Sequence, residues 1–322
     1  MKNKYSSVLL RGVISLVLIA YVVYKFQDKL PEVGHRLATA HLWLVGLAVL
    51  LFWLAMTINA FKWWVLLRAQ NIQVPFLSML NFTFVGFFFN NILPANIGGD
   101  VMRGYGLARH TDRAAGATAS VILDRLIGLS AYMSVAALSA LIAVFVTGRQ
   151  DLWPLAAAAV LALLALMMIG GFLISRRISK TVSRFLHATF LRRIAPIWDS
   201  LAQAFASYRF KYSTLLFAFL IGLTGIATTS MVNYVLVQSL GGGIPLLDIF
   251  LFTPLIALVL IIPISIGGVG LSQAAYPFFY GLVGVPGDLA FTLSLFVLAV
   301  QIFCSLPGGV LWLLWRNKTH QD

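Results

Sequence analysis

Long apolar stretches separated by short polar segments dominate the chain. A helix needs roughly 20 consecutive apolar residues to cross the hydrocarbon core of a bilayer, and most of the stretches are close to that length. They lie at residues 8–26, 42–61, 76–93, 117–146, 153–175, 213–240, 246–266 and 288–315. This pattern predicts an all-α polytopic membrane protein. No cleavage site of the small-x-small type follows the first stretch, so residues 8–26 are interpreted as an uncleaved span.

Two of the stretches differ from the others because each runs into a proline and a glycine pair. Residues 76–93 lead into Pro94 and Gly98-Gly99, and residues 246–266 contain Pro263, with Gly267-Gly268 directly after it. We therefore expect six full transmembrane helices and two re-entrant hairpins. Matching broken segments in two halves of opposite orientation are typical of an inverted repeat with a site near the midplane. The alternative is a chance match of a short string in a glycine-rich apolar chain.

Composition and charge agree with a membrane location. The chain is 60% hydrophobic and 10% charged, with a mean hydropathy of +0.92, whereas soluble domains carry about a quarter charged residues. The net charge of +13 lies mostly in the polar segments between spans. The positive-inside rule explains this distribution, so nucleic acid is not expected as a partner. The bias places both termini in the cytoplasm and opens the two hairpins to opposite sides.

The predicted organisation is one integral membrane domain over residues 1–322. It divides into a first half at 1–175 with a hairpin near 76–100, a linker at 176–211, and a second half at 212–322 with a hairpin near 246–285. In the linker, apolar residues recur at helical spacing among basic ones. This predicts amphipathic helices in the cytoplasmic interface that attract anionic headgroups, with a break at Pro196. A basic cytoplasmic linker without headgroup contacts is the alternative.

Charged residues inside the apolar stretches are the strongest candidates for chemistry. Asp124 and Arg125 lie about two turns into a predicted span, where an ionisable side chain is costly and usually functional. Adjacent helical residues point about 100° apart, so each needs another partner. Asp100 and Arg103 are the obvious ones. We expect a network of these four side chains at the base of the first hairpin, with one arginine able to meet a lipid phosphate.

Two plainer roles remain open for these residues. The network could be a structural salt-bridge cluster that only holds the hairpin in place. Asp100 could also be the N-cap of a helix that starts at Val101.

The glycine strings add candidate backbone and polar groups to the predicted lipid-binding site. Irregular backbone at membrane depth survives only when it is buried in protein or lines a wet cavity. The candidates are Asn96, Gly98 and Gly99 in the first string and Gly267, Gly268, Gly270, Ser272 and Gln273 in the second. More often, polar residues of this kind only form hydrogen bonds between helices.

Several kinds of chemistry find no support in the sequence. There is no Walker A string, no nucleophile elbow and no acidic cluster suited to Mg²⁺. The five histidines are scattered, and Cys304 is the only cysteine, which excludes a disulfide within the chain. We therefore predict no catalytic residue, no metal and no cofactor.

Three strings in order along the chain carry a family resemblance. They run from Asn91 to Arg103, from Ser120 to Gly128 and from Pro263 to Gly270. Together they resemble the lysylphosphatidylglycerol synthase transmembrane (flippase-like) family. The chain is similar to its membrane domain alone, and the aminoacyl-transferase domain of the full synthases is not expected.

The resemblance implies a helical membrane domain associated with moving anionic or amino-acylated phospholipids, or polyprenyl-linked and hopanoid lipids, between leaflets of a bacterial inner membrane. It implies functional roles for the motif positions Pro94, Gly98, Gly99, Asp100, Arg103, Asp124, Arg125, Gly267, Gly268 and Gly270. Gln273 stands where members often have glutamate, which puts proton coupling in doubt.

The leading hypothesis is therefore a lipid transporter or flippase for an anionic or polyprenyl-phosphate lipid. The alternative is a non-catalytic membrane partner or regulatory subunit of a lipid-modifying or glycosyl-transfer enzyme, which could be membrane-bound or cytoplasmic. An intramembrane transferase with Asp100 or Asp124 as its base is a third reading. Expected partners are phospholipids or polyprenyl lipids. Small residues such as Gly308 and Gly309 could also support a homo-oligomer.

Overall fold

The computed structural model describes residues 24, 27–92, 98–188, 192, 194–262, 265 and 267–318. Within these residues the regular structure is helical, with short 3₁₀ turns at Gln27–Lys29 and Gln150–Leu152. The α-helices are α1 Leu30–Ala38, α2 Leu42–Ala69, α3 Phe76–Ile92, α4 Gly98–Thr111, α5 Ala114–Phe145, α6 Trp153–Ile174, α7 Arg176–Ala188, α8 Ala195–Ala206, α9 Tyr212–Ser239, α10 Leu246–Ile261, α11 Leu271–Gly281 and α12 Gly287–Lys318. The predicted all-α architecture is confirmed.

Five of these helices, α2, α5, α6, α9 and α12, are long and apolar enough to cross a membrane. They correspond to five of the six predicted full spans. The other one, residues 8–26, lies outside the described residues except for Tyr24. α6 shows why lipid is needed, because it exposes large apolar side chains such as Leu161, Leu164 and Met168. The chain is a multi-pass membrane protein.

The two glycine-broken segments form helical hairpins. In the first, α4 folds back along α3. A side chain at Gly99 would overlap the carbonyl oxygen of Gly86, and one at Gly106 would meet the ring of Phe82. In the second, α11 returns along α10, with the rings of Tyr280 and Phe252 5.4 Å apart. α3 and α10 are the shorter apolar helices of the bundle, and their predicted re-entry into the membrane stays a prediction.

The order α2–α3–α4–α5 recurs as α9–α10–α11–α12. The turns that follow α2 and α9 match closely, since Asn71 and Gly241 both have left-handed backbones, with φ of 56° and 68°. The backbone amide of His41, which precedes α2, donates to the Ser239 carbonyl at the end of α9 over 3.0 Å. In the equivalent place Lys211, which precedes α9, donates through Nζ to the Ala69 carbonyl over 2.6 Å.

These paired contacts make α2 and α9 antiparallel, and together with the recurring helix order they agree with the predicted inverted repeat. The glycine strings themselves are not in equivalent positions. Gly98 and Gly99 lie inside α4, whereas Gly267 and Gly268 lie in the turn before α11. Gly267, Gly268 and Gly270 have φ of 59°, 75° and 81°, a conformation that L side chains rarely adopt.

Charges differ between the two ends of the bundle. One end, which we call the basic end, carries Arg68 at the end of α2, Arg113 before α5 and Lys211 before α9. At the opposite end, arginines are paired with acids, as in the bridges Arg149–Asp248 at 2.5 Å and Arg36–Asp288 at 3.2 Å. This is the distribution that the positive-inside rule expects if the basic end is cytoplasmic.

Glycines of α12 are used for packing within the chain. A side chain at Gly308 would overlap the Phe84 carbonyl of α3, and one at Gly309 would meet the ring of Phe88. These contacts account for the glycines without a second copy of the chain. The predicted homo-oligomer stays a prediction.

The linker at the basic end forms the amphipathic helices α7 and α8. Pro196 lies in the first turn of α8, where its missing N–H costs nothing. Asp199 joins the two helices by accepting hydrogen bonds from the Ser183 hydroxyl at 2.7 Å and the His187 ring at 2.9 Å. Several basic side chains of α7, including Arg176, Lys180 and Arg184, are exposed, so the surface is positively charged.

Acid is expected to loosen the contact between α7 and α8. The hydrogen bonds from Ser183 and His187 lower the pKa of Asp199 below its ordinary value. A carboxyl group whose pKa is lower in the folded protein than in the unfolded chain stabilises the fold at a pH above its unfolded-state pKa. This stabilisation is lost as the pH falls through the folded-state pKa. Hydrogen exchange over residues 176–206, corrected for intrinsic rates, should therefore rise below about pH 4. Asp199→Asn should show the faster exchange already at neutral pH, and unchanged exchange would contradict the assignment.

Candidate functional site

A cavity of about 270 Å³ lies between the two halves of the repeat. The first half lines it with α2, α3, α4 and α5, and the second half with α9, α10 and α12. Asn59 of α2 and Thr229 of α9 hold the same position within their helices, and both line the cavity, as do the equivalent Gly128 of α5 and Gln301 of α12. Residues at equivalent positions of the two halves therefore line one cavity at the interface between the halves.

Five charged side chains that line this cavity form a ladder in which cations and carboxylates alternate. Lys62 Nζ lies 3.2 Å from Asp124 Oδ1, and Arg103 Nη2 lies 2.9 Å from Asp124 Oδ2. Arg103 Nη1 is 3.4 Å from Asp100 Oδ1. Arg125 Nη2 is 2.5 Å from Asp100 Oδ2. Each carboxylate is thus shared by two cations. We call this set the charge ladder.

Exposure increases along the charge ladder. The side chains of Asp124 and Lys62 are 3% and 6% exposed, those of Arg103 and Asp100 are 9% and 15% exposed, and that of Arg125 is 39% exposed. The ladder therefore has a buried end at Lys62 and Asp124 and an exposed end at Arg125. With three cations and two carboxylates its formal charge is +1.

Arg103 has donor capacity that the described residues do not fill. Its guanidinium stacks over the Trp63 ring, 4.2 Å from the centroid. Nη1 and Nη2 face the two carboxylates, but buried Nε has no hydrogen-bond partner among the described residues. This nitrogen is buried, so it is not open to the cavity.

Close packing of α4 on α3 positions Asp100 and Arg103. Gly86 and Gly99 allow the helices to approach, and the amide of Gly99 donates to Asn90 Oδ1 over 2.8 Å. Asn90 therefore satisfies a free amide at the start of α4. The reading of Asp100 as the N-cap is wrong, because α4 begins at Gly98 and Asp100 lies inside its first turn. Its carboxylate is directed instead to Arg103 and Arg125.

Lys62 is the functional candidate that sequence reasoning missed. Lys62 directly follows the apolar stretch at 42–61, so the sequence pattern predicts a residue at the cytoplasmic face. The structure instead extends α2 to Ala69, with Lys62 only 5% exposed and bound to Asp124. The available signal was the apolar run Trp63-Trp-Val-Leu-Leu67, which continues the span beyond the lysine.

The structure brings together four of the predicted site residues, namely Asp100, Arg103, Asp124 and Arg125. Asn96, another predicted site residue, lies outside the described residues. Gly98, Gly99, Gly267, Gly268, Gly270, Ser272 and Gln273 do not line the cavity.

The second glycine string forms a turn with structural contacts. The amide of Gly270 donates to Gln273 Oε1 over 2.7 Å. A side chain at Gly267 would come within 2.8 Å of the Asn91 carbonyl oxygen, so this turn packs on the end of the first hairpin. A lipid-binding role for these residues stays a prediction.

The charge ladder has no charged counterpart in the second half. The residues at the same positions within the equivalent helices are all uncharged. They are Val232 for Lys62, Gln273 for Asp100, Tyr276 for Arg103, Val297 for Asp124 and Leu298 for Arg125. Although the cavity is shared by both halves, its charged groups belong to the first half alone.

Comparison with known proteins agrees with the fold and with the three motif strings. Residues 8–308 match the family model described as the lysylphosphatidylglycerol synthase TM region. The chain belongs to this family. It is also similar to a UPF0104 membrane protein of Pyrococcus horikoshii, with 25% identity over 295 residues that cover 84% of this chain and 87% of the relative. The predicted family is confirmed, and the match includes every residue of the charge ladder.

Proposed function

We propose that this protein moves a phosphate-bearing lipid between the two leaflets of its membrane, with the phosphate bound by the charge ladder. The site faces a cavity between two inverted halves, where alternate opening to either side can carry a headgroup across. We further propose a bacterial inner membrane with the basic end in the cytoplasm. Anionic phospholipids and polyprenyl phosphates both present the required phosphate.

The excess positive charge of the ladder is the observation that carries this proposal. A purely structural network inside a membrane is most stable when its charges balance, because an uncompensated buried charge is costly. Lys62, Arg103 and Arg125 outnumber Asp100 and Asp124 by one. A phosphodiester brings the formal charge of these five residues to zero, and a guanidinium suits its oxygens because it can donate two parallel hydrogen bonds.

Arg125 is the residue that a headgroup meets first. It is the most exposed member of the ladder, and its partner Asp100 is already shared with Arg103. A phosphate can therefore bind Arg125 while the pair of Lys62 and Asp124 stays closed. Without a nucleotide-binding string in the sequence, transport would run down a lipid gradient or on an ion gradient.

Arg125→Ala is expected to reduce binding of phosphate-bearing lipids by roughly tenfold, which corresponds to one lost charge-assisted hydrogen-bonded pair. The measurement is mass spectrometry of lipids that copurify with the gently extracted protein, compared with the bulk membrane. Arg113→Ala is the matched control, because Arg113 is an exposed arginine at the same end of the bundle. Both variants should keep the thermal stability of the parent protein.

Two results would overturn the proposal. One is a lipid profile equal to the bulk membrane in the parent protein and in both variants. The other is a specific lipid that Arg125→Ala retains as well as Arg113→Ala does. Stoichiometric copurification of a soluble transferase, together with a bulk-like lipid profile, would favour the enzyme-partner function instead. In proteoliposomes, leaflet exchange of the enriched lipid should fall with Arg125→Ala in parallel with binding.

A further inference from the structure

Helix α7 begins directly at the end of a span that faces lipid. Only Ser175 separates Ile174, the last residue of α6, from Arg176, the first residue of α7. Among the five described spans, α6 is the least buried within the protein. Ser175 has an extended backbone, with φ of −72° and ψ of 123°, so α7 does not continue along the axis of α6. The first turn of α7 therefore lies at the depth where acyl chains meet headgroups.

One side of α7 carries cations without acidic partners. Arg177, Lys180 and Arg184 are exposed and follow one another at spacings of three and four residues, which places them on the same side of the helix. Within the part of the chain that the structure describes, none of them lies within ion-pair distance of a carboxylate. Their charge is therefore available to an anionic surface outside the protein.

The opposite side of α7 packs on α8 and fixes the orientation of the helix. Leu186 is buried there, and Trp198 Nε1 of α8 donates to the Ser179 carbonyl over 3.3 Å. The hydrogen bond from Ser183 to Asp199 lies on the same side. Because this side is occupied by the protein, the basic side is the one that remains for another partner.

Exposed apolar side chains accompany the cations and favour lipid as that partner. Phe185 of α7 is 60% exposed, and Ile194 and Ile197 at the start of α8 are 46% and 62% exposed. The positive-inside rule accounts for basic residues at this end of the bundle, but it does not account for these apolar ones. Helices that lie in a membrane interface combine both kinds, since apolar groups enter the acyl boundary while cations meet the headgroups.

We propose that α7 docks on the anionic lipid surface of the leaflet at the basic end. Arg177, Lys180 and Arg184 supply the attraction, and Phe185 inserts beside them. The helix responds to the density of negative charge in the leaflet and not to one particular headgroup. This surface lies outside the cavity, and the inference does not depend on the lipid transport proposed above.

Docking of α7 also reaches the helix that carries the buried end of the charge ladder. Phe205 of α8 and Tyr208 just after it are buried in one cluster with Ala119 and Leu123 of α5. Leu123 directly precedes Asp124. An α7 held at the leaflet surface therefore braces, through α8, the part of α5 next to the ladder.

Hydrogen exchange of the full chain in nanodiscs tests the docking. One set of discs contains phosphatidylcholine alone, and two others contain about one third phosphatidylglycerol or phosphatidylserine. A lysine or arginine near an anionic surface strengthens attraction about fivefold. We expect residues 176–188 to exchange about tenfold more slowly in both anionic discs than in the neutral ones. Salt at about 1 M should remove most of this difference, because it screens the charges.

Variants assign the effect to α7. The triple substitution Arg177→Gln, Lys180→Gln and Arg184→Gln should bring the ratio of neutral to anionic exchange rates close to one. The matched control removes the same charge at the basic end from exposed arginines outside α7, by the substitutions Arg68→Gln, Arg109→Gln and Arg113→Gln. It should keep the parent ratio. Each ratio compares one variant in two lipids, so a general loss of stability does not change it.

Several outcomes would overturn this inference. Equal exchange of residues 176–188 in neutral and anionic discs would exclude docking on surface charge. An equal loss of the ratio in the control triple would assign the effect to net charge and not to α7. Slowing in only one of the two anionic lipids would indicate a headgroup site instead of a charged surface. Arg125→Ala should keep the parent ratio, so a failure of the proposed function in its own binding test leaves this inference standing.

Discussion

Asp124→Asn is expected to cause the largest loss of stability of any single charge-removing substitution in the protein. It removes the carboxylate that Lys62 and Arg103 share, with both cations buried. Breaking a buried ion pair by removing one partner costs about 3–5 kcal/mol. For a chain of this size that corresponds to a fall in Tm of roughly 10 °C. Thermal unfolding in a mild detergent, followed by tryptophan fluorescence, measures it.

A matched control and a compensating variant make this result interpretable. Asp151→Asn makes the same replacement of a carboxylate by an amide at an exposed position and should leave Tm nearly unchanged. Adding Lys62→Met to Asp124→Asn returns the ladder to its original net charge, so part of the lost stability should recover. A Tm for Asp124→Asn equal to that of Asp151→Asn would show that the ladder does not stabilise the fold.

Gly99→Ala is expected to damage the site and the fold together. A Cβ at this position would overlap the Gly86 carbonyl oxygen and lie 2.6 Å from the Asn90 amide carbon. The backbone of α4 must then move away from α3, and Asp100 and Arg103 move with it. Overpacking of this kind costs about 1–3 kcal/mol. Phosphate-lipid binding should fall at least as far as it does in Arg125→Ala, about tenfold.

Gly170→Ala provides the control for this substitution. Gly170 also lies in a helix, but no atom lies within 4 Å of the position of an added Cβ. Alanine there should be neutral or slightly stabilising, because alanine favours a helix over glycine. Thermal unfolding and lipid binding are measured on both variants. Equal values would mean that the tight α3–α4 contact does not position the charge ladder.

The results expected for Asp124→Asn and Arg125→Ala assign complementary roles to the two ends of the charge ladder. Its buried end, Lys62 with Asp124, mainly stabilises the contact between α2 and α5, so its loss should appear first in stability. Its exposed end, Arg125 with Asp100, is open to the cavity, so its loss should appear first in binding. Under the proposed function, this division lets one network both hold the hairpin and receive an anion.

The distribution of charge also limits how a transport cycle can work. In a fully symmetric inverted repeat the two halves would offer equivalent groups to the substrate. Here the ladder is confined to the first half, and its counterparts are uncharged. A headgroup that crosses would therefore keep its phosphate on the same side chains while the second half opens and closes around it. This expectation follows from the proposed function and fails with it.

The sequence by itself determined the class of the protein, its spans and the heart of the candidate site. Spans can be recognised locally because each must match the thickness of the bilayer and satisfy its own backbone hydrogen bonds. Asp100, Arg103, Asp124 and Arg125 could be grouped because charges at membrane depth need partners, and the chain has only ten acidic residues to offer. The glycine-broken segments likewise predicted the hairpins and the repeat.

Only the tertiary structure decided which side chains meet. Lys62 joins the ladder because α2 continues past it and packs against α5. Asp100 binds arginines because Asn90 of the neighbouring helix satisfies an amide at the start of α4. Thr229 and Gln301 enter the cavity only through the antiparallel contact of the two halves. These outcomes depend on distances between helices far apart in sequence, set by close contacts such as Gly86 with Gly99, and no local pattern encodes such distances.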